Sequence, residues 1–214
     1  MASSLTADLT LPGARPYAFS FPLRTTALVI IDIQRDFVDP GGFGSIQCGD
    51  PEIFAKARSI VPTVQRVLDV FRSSGATVIH TREGHQPDLA DLPAAKRLRQ
   101  LGAPNGHHTL GIGDQGPMGR LLVRGEYGHD IVDELTPHPG EVVIDKPGKG
   151  SFWGTDIHRV LLSRGVTHLI FTGVTTEYES STTGSLRVSD MDQMLRHNDA
   201  SRVQRPWVSM RDTL

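Results

Sequence analysis

Short apolar segments recur along the chain and predict buried β-strands. They lie at residues 27–32, 76–80, 141–144 and 167–172. Each segment is rich in β-branched residues, and its apolar run is closer to continuous than to alternating. This pattern is typical of parallel strands that are covered on both faces.

Amphipathic helical patterns lie between these segments. An Asp-Pro pair at residues 50–51 predicts a helix start, because Asp caps a helix and Pro fits its first turn. Apolar residues then recur every three or four positions until Gly75, and Pro62 predicts a kink or a restart within that stretch. A further helix is predicted between residues 155 and 165.

Strands that alternate with helices predict βαβ units and therefore an α/β fold, a three-layer sandwich with a parallel sheet. We expect a leader over residues 1–25, one domain over residues 26–177, and an off-pattern tail over residues 178–214. Residues 87–139 are less regular and predict a lid or an inserted helix over the site. In such sheets the chemistry sits at the carboxyl ends of the strands.

Composition narrows the function classes. The 22 Lys and Arg residues nearly balance the 24 Asp and Glu residues, so no basic excess indicates a nucleic-acid partner. The longest apolar run is far too short to span a bilayer, which argues against a membrane partner. Cys48 is the single cysteine, which excludes an internal disulfide and a cysteine-based zinc site and favours a reducing, cytoplasmic location.

Three of the predicted strand ends carry candidate chemistry. Asp32 ends the first strand, where burial can raise the pKa of a carboxyl towards that of a useful base, although an Asp can also simply cap a turn. Lys146 follows the third strand and is expected at the same edge, either paired with Asp32 or solvated at the surface. Residues 173–177 after the fourth strand form either a turn that aims N–H groups into a cleft or an ordinary strand-to-helix turn.

Together these strand ends resemble a known family. The runs LVIIDIQRDF at 28–37, DK at 145–146, SF at 151–152 and TGVTTE at 172–177 resemble the isochorismatase-like cysteine hydrolases. The runs HTREGH at 80–85 and GDQGPMGR at 113–120 resemble the biuret and ureidoacrylate amidohydrolase branch of that family.

The resemblance implies a Cys–Asp–Lys triad. Asp32 matches the general base that takes the thiol proton, and Lys146 matches the lysine that orients this Asp and supports the charged intermediate. The Val174–Thr175 peptide matches a cis bond that turns backbone N–H groups towards an oxyanion. The nucleophile of the family is a cysteine two residues after Glu177.

The resemblance further implies hydrolysis of a C–N bond in a small urea-like or carbamoyl amide, with no cofactor and possible homo-oligomers. Some relatives bind a metal through Asp and His, but the spacing of His80, His85 and Asp88 gives no clear ligand set, and we predict no metal. The expected substrate contacts are Phe37, Arg82, Glu83 and Phe152. Phe37 and Phe152, with Phe43 and Trp153, would form an aromatic wall or would pack in the core.

This chain departs from the family at the nucleophile position, which is occupied by Glu179. A carboxylate is a much poorer nucleophile than a thiolate, so the chain itself is expected to be inactive. Beside Asp32 it would also bring two like charges together. Beyond Glu177 the expected apolar strand pattern is missing.

One hypothesis explains the departure as intron read-through. Residues 177–180 can be encoded by a string containing GTATGAGT, which resembles an intron donor, and Gln193 can be CAG, an acceptor. Reading on from Met194 in the shifted frame forces a cysteine codon. With permitted synonymous codons, the joined product resembles the nucleophile helix of the family. Residues 178–193 would then be translated intron, and residues 194–214 would be frameshifted.

Two alternatives remain open at this level. A pseudoenzyme with a diverged tail would bind a ligand without turning it over. An isochorismate-type vinyl ether hydrolase has the same fold, and its nucleophile position is commonly not cysteine.

Overall fold

The computed structural model describes residues 8–12, 17–48, 50–101, 110–148, 150–152 and 154–174. In chain order its strands are β1 (Asp8–Leu11), β2 (Phe19–Pro22), β3 (Thr26–Ile31), β4 (Thr77–Glu83), β5 (Gln115–Gly116), β6 (Gly119–Arg120), β7 (Val142–Lys146) and β8 (His168–Gly173). Its α-helices are α1 (Arg35–Val38), α2 (Phe43–Cys48), α3 (Pro51–Ser59), α4 (Val61–Ser74), α5 (Ala94–Leu101) and α6 (Ile157–Ser163). Single 3₁₀ turns lie at Leu23–Thr25 and Asp133–Leu135.

Four of these strands form one parallel sheet in the order β7-β4-β3-β8. They confirm the four predicted strands, with ends that differ by up to three residues. β4 is longer than predicted because Arg82 and Glu83 continue to pair with β7, opposite Asp145 and Lys146. Arg82 and Glu83 are therefore the last residues of a strand that was predicted to end at residue 80.

The sheet is covered on both faces, which confirms the α/β class. All six residues of β3 are buried. Leu28 and Ile30 belong to a core cluster that also contains the apolar face of α4. The residues between them, such as Val29, belong to a second cluster with α6 on the other face. Each alternate side chain thus finds an apolar layer, which explains the continuous apolar run in the sequence.

Part of the segment predicted as a leader belongs to the domain. β1 and β2 pair as an antiparallel hairpin. Phe21 of β2 and Leu23 in the turn that leads to β3 are buried in the same cluster as α4. Within the segment expected to be a leader, Phe21 and Leu23 therefore contribute to the core of the domain.

The helical pattern after residue 50 is interrupted as Pro62 predicts. α3 ends at Ser59, and α4 restarts at Val61 with Pro62 in its first turn, where a missing N–H costs nothing. Gly75 ends α4 in the left-handed conformation, with φ 70°. Among the described helices α4 is the longest, with 14 residues, and none qualifies as a membrane span.

The less regular region contains the inserted helix α5 and a short β5–β6 hairpin. Its second half is tied to α1. The Asp36 carboxylate accepts the Leu122 N–H at 2.8 Å, and the Arg35 guanidinium lies 4.2 Å from the centre of the Tyr127 ring. These contacts hold the described part of this region against the carboxyl edge of the sheet.

Candidate functional site

Asp32 lies one residue beyond β3, at the carboxyl edge of the sheet. Its N–H still bonds the carbonyl of Thr81 on β4 at 3.2 Å. Its backbone then turns into the left-handed region, with φ 51°, a conformation that Asp tolerates better than most residues. This turn keeps the carboxylate at the edge, where it is only 8% exposed.

The Asp32 carboxylate has a partner on each oxygen. Its Oδ1 accepts the Thr81 hydroxyl at 2.6 Å, and its Oδ2 accepts the Lys146 ammonium at 2.5 Å. Lys146 is fully buried at the end of β7 and also donates to the Gly148 carbonyl at 3.0 Å. The predicted meeting of Asp32 and Lys146 at one sheet edge is therefore present, and a solvated lysine is excluded.

Burial dominates the electrostatics of Asp32. Removal from water raises the pKa of its carboxyl above the usual value. The Lys146 ammonium opposes that rise, whereas the negative charge of Glu83 adds to it. The outcome is a carboxylate that accepts a proton more readily than an exposed Asp does.

Glu83 faces the same cluster from the end of β4. Its Oε1 accepts the Lys96 ammonium at 2.5 Å, and its Oε2 lies 3.9 Å from the Lys146 Nζ. Lys96 comes from α5 and also lies 3.0 Å from His85 Nε2. Burial alone would raise the pKa of Glu83, but the two lysines outweigh it and hold the pKa below its usual value.

Gln34 fixes the backbone of Glu83. Its amide nitrogen donates to the Glu83 carbonyl at 2.9 Å, and its amide oxygen accepts the Glu83 N–H at 2.7 Å. The same nitrogen donates to the His129 carbonyl at 2.6 Å. The Gln34 side chain thus bonds both backbone groups of Glu83, as the backbone of a neighbouring strand would.

Arg82 points away from this cluster, because alternate residues of a strand face opposite sides. Its guanidinium bonds Asp145 at 2.7 Å and Asp130 at 2.9 Å. Arg82 therefore forms ion pairs with two carboxylates of the protein. Its expected contact with a substrate stays a prediction.

The predicted aromatic wall is divided between the two faces of the sheet. Phe37 packs against the core cluster of α4 and meets the Phe43 ring edge-on, with 6.2 Å between centroids. Phe152 packs against the cluster of α6. Val174 packs on the α4 side. Thr175, Glu179 and Trp153 lie outside the described residues, as does the whole predicted tail.

The two histidines considered as ligands have separate partners. His80 Nε2 lies 2.8 Å from Glu141, and His85 Nδ1 lies 3.2 Å from Asp91. Within the part of the chain that the structure describes, no three His, Cys, Asp or Glu side chains converge where a metal ion would bind.

Sequence reasoning missed Thr81, Gln34 and Lys96 as members of the site. Gln34 lies in the run at 28–37 and Thr81 in the run at 80–85, and both runs carry the resemblance to the family. The sequence therefore contained a signal for these two residues. Lys96 gives no such signal, since it is one of several basic residues on a polar helix.

Comparison with known proteins identifies the family and the fold. A model of the isochorismatase domain matches residues 26–183. Ureidoacrylate amidohydrolase RutB from Serratia proteamaculans (strain 568) is 33% identical over 172 residues, which are 78% of this chain and 65% of that protein. The chain therefore spans slightly less than two thirds of the length of this relative.

Solved structures show the same fold. An isochorismatase family protein from Desulfovibrio vulgaris superposes with a TM-score of 0.58 at 25% identity, covering 82% of this chain and 92% of that one. A cysteine hydrolase from Pseudomonas syringae pv. phaseolicola superposes with a TM-score of 0.56 at 25% identity, covering 73% of this chain and 62% of that one.

The fold and the site define an α/β protein with a buried Asp–Lys pair at the carboxyl edge of a parallel sheet. The chain belongs to the isochorismatase family, whose domain model spans most of its length. Within that family it is similar to a ureidoacrylate amidohydrolase.

Proposed function

We propose that this chain is built on the scaffold of a hydrolase that cleaves C–N bonds in small urea-like or carbamoyl amides. The observation that carries the proposal is the buried contact of 2.5 Å between Asp32 and Lys146 at the sheet edge. The similarity to a ureidoacrylate amidohydrolase supports the substrate class, because that enzyme is named for hydrolysis of an amide.

In the proposed reaction Asp32 is the general base and Lys146 its charged partner. Asp32 takes the proton of a thiol at the position of Glu179, and the thiolate forms a C–S bond to the amide carbon. The carbonyl electron pair moves to oxygen and then returns, which breaks the C–N bond as the leaving amine takes the proton from Asp32. Asp32 then deprotonates a water molecule, whose oxygen bonds to the acyl carbon of the thioester. The C–S bond breaks, and the departing sulfur takes the proton back from Asp32.

The chain as it stands lacks this thiol, since Glu179 occupies the nucleophile position. We propose that residues 178–214 are the product of intron read-through and a shifted frame, and that the correctly spliced product carries the cysteine. The 214-residue chain would then retain the base and its lysine but not the step that forms the C–S bond.

Two measurements test the proposal. Sequencing the gene and its transcript across the codon of Glu177 should reveal a donor there and an acceptor before Met194. The spliced product and the 214-residue chain are then compared for ammonia release from a panel of biuret, ureidoacrylate and carbamoyl amides. We expect release by the spliced product alone.

Replacing the nucleophile cysteine by Ala in the spliced product is the matched control and should abolish release. An uninterrupted reading frame without donor or acceptor overturns the splicing hypothesis. Absence of ammonia from every amide with the cysteine present overturns the substrate class. Tight binding of an amide by the 214-residue chain of an uninterrupted gene, without turnover, identifies a pseudoenzyme instead.

A further inference from the structure

We propose that Glu83 is a positioning residue whose carboxylate acts through Lys146 on Asp32, and that Lys96 of the inserted helix α5 keeps Glu83 ionised. The proposal deepens the proposed function, because it rests on Asp32 as the general base. It replaces the expected role of Glu83 as a substrate contact.

The carboxylate of Glu83 lies between two ammonium groups. One oxygen is 2.5 Å from the Lys96 Nζ, and the other is 3.9 Å from the Lys146 Nζ. The Glu83 side chain is 9% exposed and that of Lys96 is 16% exposed. With an ammonium near each oxygen and little surface in contact with solvent, this carboxylate is placed to act on its neighbours rather than on a substrate.

The charges of the cluster explain why a second carboxylate is useful. Asp32 and Glu83 balance Lys146 and Lys96 in the resting site. When Asp32 takes up a proton, its negative charge is lost while Lys146 remains buried. Glu83 then supplies Lys146 with a carboxylate that stays ionised, so the ammonium keeps its charge and can stabilise the anion that forms.

The same arrangement makes Asp32 a stronger base. The negative charge of Glu83 raises the pKa of Asp32, in addition to the larger effect of burial. Around Asp32 the other charged or polar groups are Lys146 and Thr81, which favour its ionised form. Glu83 itself faces Lys146, Lys96 and His85, and the two lysines lower its pKa against the effect of burial.

Lys96 connects this cluster to the region outside the sheet. Its ammonium bonds Glu83 and His85, and His85 in turn bonds Asp91, which pairs with Arg124 at 3.4 Å. The position of α5 is thereby linked to the ionisation of Glu83.

A titration of the spliced product, with its nucleophile cysteine replaced by Ala, tests the coupling without any need for turnover. Carboxyl signals of protein labelled with ¹³C-Asp are followed by NMR as a function of pH, and the Asp32 signal is assigned with Asp32→Asn. We expect Glu83→Gln to move the Asp32 midpoint to lower pH. Glu141→Gln is the control, since it removes another carboxylate with little exposure, bonded to Arg72 and His80. It should leave the Asp32 midpoint in place.

Two further variants separate charge from packing. Glu83→Asp keeps the negative charge, so its Asp32 midpoint should lie closer to that of the unmodified chain than the midpoint of Glu83→Gln does. Lys96→Met leaves Glu83 in place and should raise the Glu83 midpoint in ¹³C-Glu protein, whereas Lys56→Met on the exposed face of α3 should not. An Asp32 midpoint that does not move in Glu83→Gln, or moves equally in Glu83→Asp, overturns the proposal.

Failure of the role proposed for Glu83 can be distinguished from failure of the proposed hydrolase function. In the spliced product, Glu83→Gln should shift the acidic limb of kcat/KM to lower pH and reduce kcat more than it changes KM. A coupled titration without turnover of any amide would refute the substrate class alone. Turnover whose acidic limb is unchanged in Glu83→Gln would refute the role of Glu83 alone.

Discussion

Lys146 is completely buried, although lysine is among the residues least often found inside a protein. It is held there by Asp32 at 2.5 Å and by the Gly148 carbonyl at 3.0 Å, with Glu83 at 3.9 Å. At the scale of single residues, the site is therefore a set of charges that are each stable only because the others are present.

Replacing Lys146 by Met, a side chain of similar length, should destabilise the protein because two buried carboxylates lose a common cation. Loss of one partner of a buried pair typically costs about 3–5 kcal/mol. We expect a decrease of about 3 kcal/mol in the free energy of unfolding, measured with urea at pH 7. The double variant Asp32→Asn/Lys146→Met should lose less than the sum of the two single variants, and strict additivity would contradict direct pairing.

His129 is a second buried residue with a definite pH dependence. Burial and the nearby Arg82 lower its pKa to about 4, against 6.5 for an ordinary histidine. Between these values the unfolded chain binds more protons than the folded one, so stability decreases as the pH falls from 6.5 towards 4. Full stability from this group is present only above pH 6.5.

We expect this histidine to contribute a loss of about 2 kcal/mol between pH 7 and pH 5. His129→Gln should weaken the pH dependence of the free energy of unfolding over that interval. His138→Gln, a change at an exposed histidine, is the control and should leave the dependence as it is. Equal slopes in the two variants would show that His129 does not carry the effect.

At the scale of elements, the end of β4 is bonded to β7 on one edge and to a side chain, not a strand, on the edge that faces β3. Gln34 bonds both backbone groups of Glu83, after β3 has already ended at Ile31. This contact holds the backbone of Glu83 in register with Lys146 across the sheet. The geometry of the charged cluster therefore depends on an uncharged residue that touches none of its charges.

Replacing Gln34 by Met should leave the buried N–H and carbonyl of Glu83 without these bonds. A buried polar group left unsatisfied costs about 1–3 kcal/mol, so we expect a loss of about 2–4 kcal/mol in urea unfolding. Gln65→Met is the matched control, because Gln65 makes a single exposed bond to Glu134 at 3.2 Å. Similar losses in the two variants would contradict the proposed role of Gln34.

At the scale of the whole molecule, β8 is the last of the described strands on its side of the sheet. β8 pairs with β3 along its full length, and among the described strands none pairs with its other edge. An uncovered strand edge is a template for association with other chains. The residues that follow β8 in this chain lack the apolar pattern of further strands.

We therefore expect the 214-residue chain to aggregate on expression and the spliced product to be recovered in the soluble fraction. Size-exclusion chromatography of both, followed by urea unfolding, measures the difference. Glu179→Cys in the 214-residue chain is the control, since it restores the residue type but not the reading frame, and it should aggregate as well. A soluble 214-residue chain that unfolds cooperatively would contradict the prediction.

The order of strands and helices follows from the sequence, because continuous apolar runs and helical periodicity report local structure directly. The same reasoning located Asp32 and Lys146, since the carboxyl ends of parallel strands meet at one edge. It did not identify Phe21 and Leu23 as core residues, because their short segment is interrupted by Pro22 and forms no long apolar run.

The apolar pattern by itself determined the parallel sheet and placed Asp32 and Lys146 at one edge of it, but it left open whether the two side chains pair. Only the tertiary structure decided that Glu83 lies between two lysines, because Lys96 reaches it from a separate helix. It also decided that Gln34 holds the end of β4. The physical reason is that burial, and the balance of charges within it, depends on contacts between residues distant in the chain, which no local pattern encodes.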